Sequence, residues 1–172
     1  MDFIDKVDNI FPRRSVVKFI LLYFFFILLF FIFSSSVFEF FFSPIGLSKN
    51  PISKINSIQN ILLLTVVIGP FLETLIFQYF LIKGFYLLIE NQPFNKTYYN
   101  KKTVLISVFL SSIIFGCMHY YSLYYIISMI ILGFIFGFVF FLSITRKWYS
   151  FPLIFLFHAL YNLTILFLER IL

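Results

Sequence analysis

Five long apolar runs dominate the chain, at about Phe19–Phe38, Ile61–Ile82, Val104–Tyr120, Leu123–Ile144 and Phe151–Leu168. A helix needs roughly 20 such residues to cross the hydrocarbon core of a bilayer, and each run approaches that length. The runs are continuous rather than alternating, and a backbone in lipid must satisfy its own polar groups. Helices are therefore expected and a β-barrel is not. The composition of 62% hydrophobic and 12% charged residues excludes a soluble domain, which carries about 25% charged residues. It excludes a disordered chain as well. The expected fold class is an all-α polytopic membrane protein, a helical bundle of about five transmembrane helices.

A chain of 172 residues with five spans leaves only short loops. Residues 1–60 read as an N-terminal arm with an accessory transmembrane helix, and 61–172 as a core of the remaining four runs. Arg13, Arg14 and Lys18 precede the first run as they would in a signal peptide. The run is long, however, and Ser34-Ser35-Ser36 leads on without a small-residue cleavage site, so a retained anchor is expected. Cys117 is the single cysteine, so no intramolecular disulfide exists.

The net charge of +6 comes from cations lying in the gaps between the runs, which points to membrane topology rather than to nucleic acid. Ten of the 13 fall on one side: Lys6, Arg13, Arg14, Lys18, Lys83, Lys96, Lys101, Lys102, Arg146 and Lys147. Lys49, Lys54 and Arg170 fall on the other. The positive-inside rule then gives an N-inside, C-outside orientation. Abundant Phe, Ile, Asn, Lys and Tyr suggest an AT-rich genome, and with it a bacterial cytoplasmic membrane.

An ionisable group near the bilayer centre costs about 2.5–3.5 kcal/mol even on lenient scales, so such residues mark candidate chemistry. Glu73, inside Gly69-Pro70-Phe71-Leu72-Glu73-Thr74-Leu75-Ile76-Phe77-Gln78, lies about 15 Å deep when counted from Lys83. A side chain that short cannot reach water from there. The plainer alternative is a protonated acid bonded to a neighbouring helix. His119 and His158 are the only histidines, and both fall in apolar runs. In Phe115-Gly116-Cys117-Met118-His119 the aromatic and the imidazole share one helical face, as do His158 and Asn162 in His158-Ala159-Leu160-Tyr161-Asn162.

One carboxylate, two imidazoles and one amide thus come from three separate runs. A desolvated carboxylate is a competent general base for water, and imidazole and amide N–H groups stabilise an oxyanion. That set suits acyl hydrolysis. It would also suit zinc held by Glu73, His119 and His158 with water as the fourth ligand, although no H-E-x-x-H signature is present. A proton- or ion-coupled transporter would use the same titratable groups as a relay. It gives no reason for Asn162 to stand one turn from His158. Gly133-x-x-x-Gly137 reads as helix packing, and Tyr120, Tyr121, Tyr124 and Tyr125 as an interfacial aromatic belt.

The three motifs, in this order, resemble those of the CPBP family (CAAX protease and bacteriocin-processing, or Abi). The family pattern is E-E-x-x-x-R, F-x-x-x-H and H-x-x-x-N. Phe115 to His119 meets the second and His158 to Asn162 the third. In the first, Glu73 matches the first Glu and Phe77 the usual aromatic, but Thr74 and Gln78 replace the second Glu and the Arg. The resemblance covers about Ile61 to Leu168. It implies an intramembrane endopeptidase acting on a peptide or protein at the membrane. Glu73 would activate water, His119 would position or polarise it, and His158 with Asn162 would form the oxyanion hole. It implies a glutamate mechanism without a cofactor, with a zinc protease as the alternative. The departures at Thr74 and Gln78 also allow a silent homologue acting as a binding or immunity protein. On straight helices His119 would stand about 25 Å above Lys102, and His158 only about 10 Å beyond Lys147.

Overall fold

The computed structural model describes residues 22, 24–26, 29, 57–95, 97–120 and 122–171. The chain divides into two compact units, Met1–Phe41 and Phe42–Leu172. In the first, Leu22, Phe24, Phe25, Phe26 and Leu29 are helical. The rest of the expected first span, the arm before it, Lys49 and Lys54 lie outside the described residues, as do Lys96 and Tyr121.

Every regular element described in the second unit is helical: α1 (Ile58–Glu90), α2 (Lys101–Cys117), α3 (Leu123–Thr145) and α4 (Ser150–Ile171). This is the expected all-α membrane bundle. Among the described residues three helices, α1, α3 and α4, are long and apolar enough to cross a membrane. The expected third span is the shorter α2, whose 17 residues rise about 25 Å. Leu63, Val67, Phe71, Ile76 and Phe80 of α1 are exposed, an apolar face that suits lipid and not water.

Helix α1 runs 33 residues, past the expected end at Ile82. Lys83 looked like a boundary, but its Nζ lies 3.5 Å from the centroid of the Tyr79 ring. That contact holds the cation on the helix surface, and winding continues to Asn91, whose left-handed φ of 51° ends it. The winding is not uniform. Leu63–Ile68 and Thr74–Leu81 are π-helical, with an α-helical segment, Gly69–Glu73, between them. Pro70 explains the first widening, since its ring would collide with the carbonyl four residues back. A wider turn just before it relieves that collision.

The α1–α2 hairpin is closed by Asn100. Its side chain caps α2 by accepting from the N–H groups of Lys102 and Thr103, and its own N–H donates to the Tyr86 hydroxyl at 3.0 Å. Helices α2 and α3 then approach closely. A methyl group on Gly116 would lie 2.7 Å from Ile126 O and 2.8 Å from Ile130 N, so only glycine fits that crossing. Gly133 and Gly137 pack on Phe115 and Val108, the packing role expected of that motif. Phe136, Phe140 and Phe141 of α3 and Ile154 and Phe157 of α4 are buried in the core.

Candidate active site

Glu73 is the last residue of the short α-helical segment between the two π-helical stretches of α1. Its Oε2 lies 3.3 Å from Nε2 of His158 and 3.9 Å from Nε2 of His119. Three expected site residues thus converge on one carboxylate oxygen. The Glu73 side chain is 30% exposed while that of His158 is only 2% exposed, so an incoming group reaches the carboxylate first. The length of α1 brings Glu73 to the depth of His119 and leaves the count along α4 to His158 unchanged. Counted from Glu90 rather than Lys83, Glu73 stands about 25 Å above the loop, level with the top of α2.

His119 lies just beyond α2, with its N–H donating to Gly116 O at 2.9 Å. Its Nδ1 is 2.7 Å from the Phe115 carbonyl. A carbonyl can only accept, so in the neutral ring Nδ1 carries the hydrogen and Nε2 turns its lone pair toward Glu73. The ring packs on Phe115 at 4.6 Å and near Tyr125 at 6.0 Å. The i, i+4 spacing of Phe115 and His119 therefore does two things at once, through the carbonyl and through the ring.

His158 is buried against the rings of Phe136 at 4.6 Å and Phe115 at 6.1 Å. Its Nδ1 faces the hydroxyl of Thr74 at 3.4 Å. Phe77 meets Phe115 edge to face at 5.3 Å, joining the first motif to the second. Ser111 adds a bond from its hydroxyl to the Phe77 carbonyl. Gln78 is buried too, and its Oε1 has no hydrogen-bond partner among the described residues. Asn162, one turn beyond His158, donates from Nδ2 to the Thr65 carbonyl at 2.8 Å. Its amide is thus turned toward the backbone of α1.

Two residues of this neighbourhood carried no sequence signal. Phe136 is one of 29 phenylalanines, and nothing in its spacing marks it as the wall of His158. Tyr125 read as part of an interfacial belt. As metal ligands, Glu73, His119 and His158 would be the set to consider. Among the described residues no group of three or more His, Cys, Asp or Glu is arranged to hold a metal ion.

No curated protein and no solved structure gives a significant match to the chain. The profile of a protein family does: the family described as type II CAAX prenyl endopeptidase Rce1-like matches residues 56–164. That stretch contains Glu73, His119, His158 and Asn162. The chain belongs to the Rce1-like type II CAAX prenyl endopeptidase family, a family of intramembrane proteases.

Proposed function

We propose that the chain is an intramembrane endopeptidase in which Glu73 activates the attacking water. The observation that carries this reading is the meeting of two imidazole nitrogens and one partly exposed carboxylate oxygen. The 3.9 Å separation between Glu73 Oε2 and His119 Nε2 is too long for a hydrogen bond and suits a bridging water. Both atoms accept, so such a water donates one hydrogen to each and leaves its oxygen lone pair free for the substrate carbonyl.

In the attack the water oxygen bonds to the scissile carbon, and its proton passes to Glu73. The carbonyl oxygen becomes an oxyanion. The Glu73 carboxylate beside Nε2 of His158 accepts, which sets the hydrogen on Nε2 and leaves Nδ1 to accept from Thr74. Once Glu73 has taken the proton, that Nε2–H is released to the oxyanion. The second N–H of the Asn162 amide is the other donor. Collapse of the tetrahedral species breaks the C–N bond, and Glu73 returns the proton to the leaving amine. Water and amide are thereby converted to acid and amine with no other reactant.

The substrate class proposed is a prenylated peptide with a CAAX-type C-terminus, in keeping with the family's description. The membrane is the bacterial cytoplasmic one, with the N-terminus inside. The replacement of the family's second Glu and Arg by Thr74 and Gln78 supports one other reading, a silent homologue that binds such a peptide without cutting it. Purified protein incubated with a fluorescent prenylated peptide separates the two. Cleavage by the wild type and none by Glu73→Gln supports the enzyme, whereas binding without cleavage by the wild type supports the silent homologue.

A further inference from the structure

The hydrogen bond from Asn162 to Thr65 O has a specific origin in α1. In the π-helical stretch the N–H of Gly69 bonds to Leu64 O, five residues back. An α-helical turn would have given that N–H to Thr65 O. The next π-type donor for Thr65 O is residue 70, and Pro70 has no N–H. Neither winding supplies a donor, so Thr65 O is a carbonyl orphaned by the combination of the wide turn and the proline. In a membrane such a group needs another donor, and a neighbouring helix can supply it. The Nδ2 of Asn162, on α4, occupies that place at 2.8 Å.

The same stretch governs where the carboxylate points. A methyl on Gly69 would lie 2.8 Å from Leu64 O and 3.8 Å from Glu73 Oε1. The Glu73 carboxylate therefore lies back along the turn that begins at Gly69, and a rotation of that turn moves the carboxylate with it. We infer that Asn162 is a positioning residue: by supplying the donor that Pro70 lacks, it fixes the π-helical register of α1 and so aims Glu73. This rests on the proposed protease mechanism for its kinetic consequence but not for its structural one. It is a separate role from donation to an oxyanion, which would use the other N–H of the same amide.

Pro70→Ala restores an N–H at the position where the donor is missing, so it separates the two roles. Four proteins are compared: wild type, Asn162→Ala, Pro70→Ala and the double variant. Each is assayed for melting midpoint in detergent and for kcat and KM on a prenylated peptide. The expected result for Asn162→Ala is a midpoint lower by about 2–6 °C, with kcat reduced and KM unchanged. In the Pro70→Ala background the same substitution lowers the midpoint by less than half as much. The double variant is also faster than Asn162→Ala alone. Equal losses in the two backgrounds, or an unchanged midpoint for Asn162→Ala, would overturn the inference. An amide that served only an oxyanion would give that pattern. If no variant cleaves, the protease reading fails, and the midpoints still decide the role of Asn162. Should Pro70→Ala not accumulate, Asn162→Leu decides it. This near-isosteric change fills the space without a donor, so it lowers the midpoint if Thr65 O needs the amide and leaves it in place if not.

Discussion

The hydroxyl of Thr74 lies 3.4 Å from Nδ1 of His158, on the opposite side of the imidazole from Glu73. The residue that replaces the family's second Glu is thus in contact with a proposed oxyanion donor. Thr74 and Gln78 are both buried, and in the family pattern these two positions hold opposite charges one turn apart. Stranding one buried charge costs about 3–5 kcal/mol, while replacing both together with neutral groups avoids that cost.

Thr74→Glu and Gln78→Arg should each reduce protein level or cleavage rate more than the double substitution does. A double-mutant cycle on both quantities measures the coupling. Additive effects would mean that the positions are independent, and the silent-homologue reading would gain support.

Glu73→Gln should lower kcat by about 10²–10⁴-fold, the usual contribution of a general base. The amide keeps the shape, so insertion into the membrane should be unchanged. The readout is a rate per folded protein from size-exclusion-purified samples. A mutant that cleaves at the wild-type rate would remove Glu73 from the mechanism.

Chelation addresses the chemistry of the same three side chains. With Glu73 activating water directly, dialysis against a strong chelator should leave the rate unchanged, and metal analysis should find less than stoichiometric zinc. Loss of activity restored by Zn²⁺ would instead assign Glu73, His119 and His158 as ligands.

Orientation follows from the ten-to-three division of cations. A reporter inserted near Asn95, in the loop closed by Asn100, should be cytoplasmic, and one fused after Leu172 should be external. Reporters found on the same side would contradict a chain of five crossings.

The class of the fold and the residues around Glu73 could be read from hydropathy and from motif order. Phe115 and His119 showed their pairing through a four-residue spacing, whereas Asn162, four residues beyond His158, turns to Thr65 O on α1. The rest depended on winding. Apolar periodicity does not register an extra residue per turn, so the π-helical stretches were invisible and the contact of Asn162 with Thr65 O could not be foreseen. Lys83 suggested an end to the second run because a charge normally marks the interface. Its packing on Tyr79 depends on a ring four residues away, which hydropathy does not weigh. Phe136 and Tyr125 were hidden by the sheer number of aromatic residues.

The shortness of α2 has a consequence for the lipid around it. At about 25 Å it falls short of a hydrocarbon core of about 30 Å, while α1 and α3 beside it do not. Thinning of the bilayer on the α2 side is one response to that mismatch, at a fraction of a kcal/mol per Å. His119 stands just beyond the C-terminal end of α2, so thinning at that end would bring the membrane surface down beside Glu73. Acyl-chain length thereby becomes a physical variable of the site: thin bilayers bring the headgroup layer and its water toward the carboxylate, and thick ones draw it away.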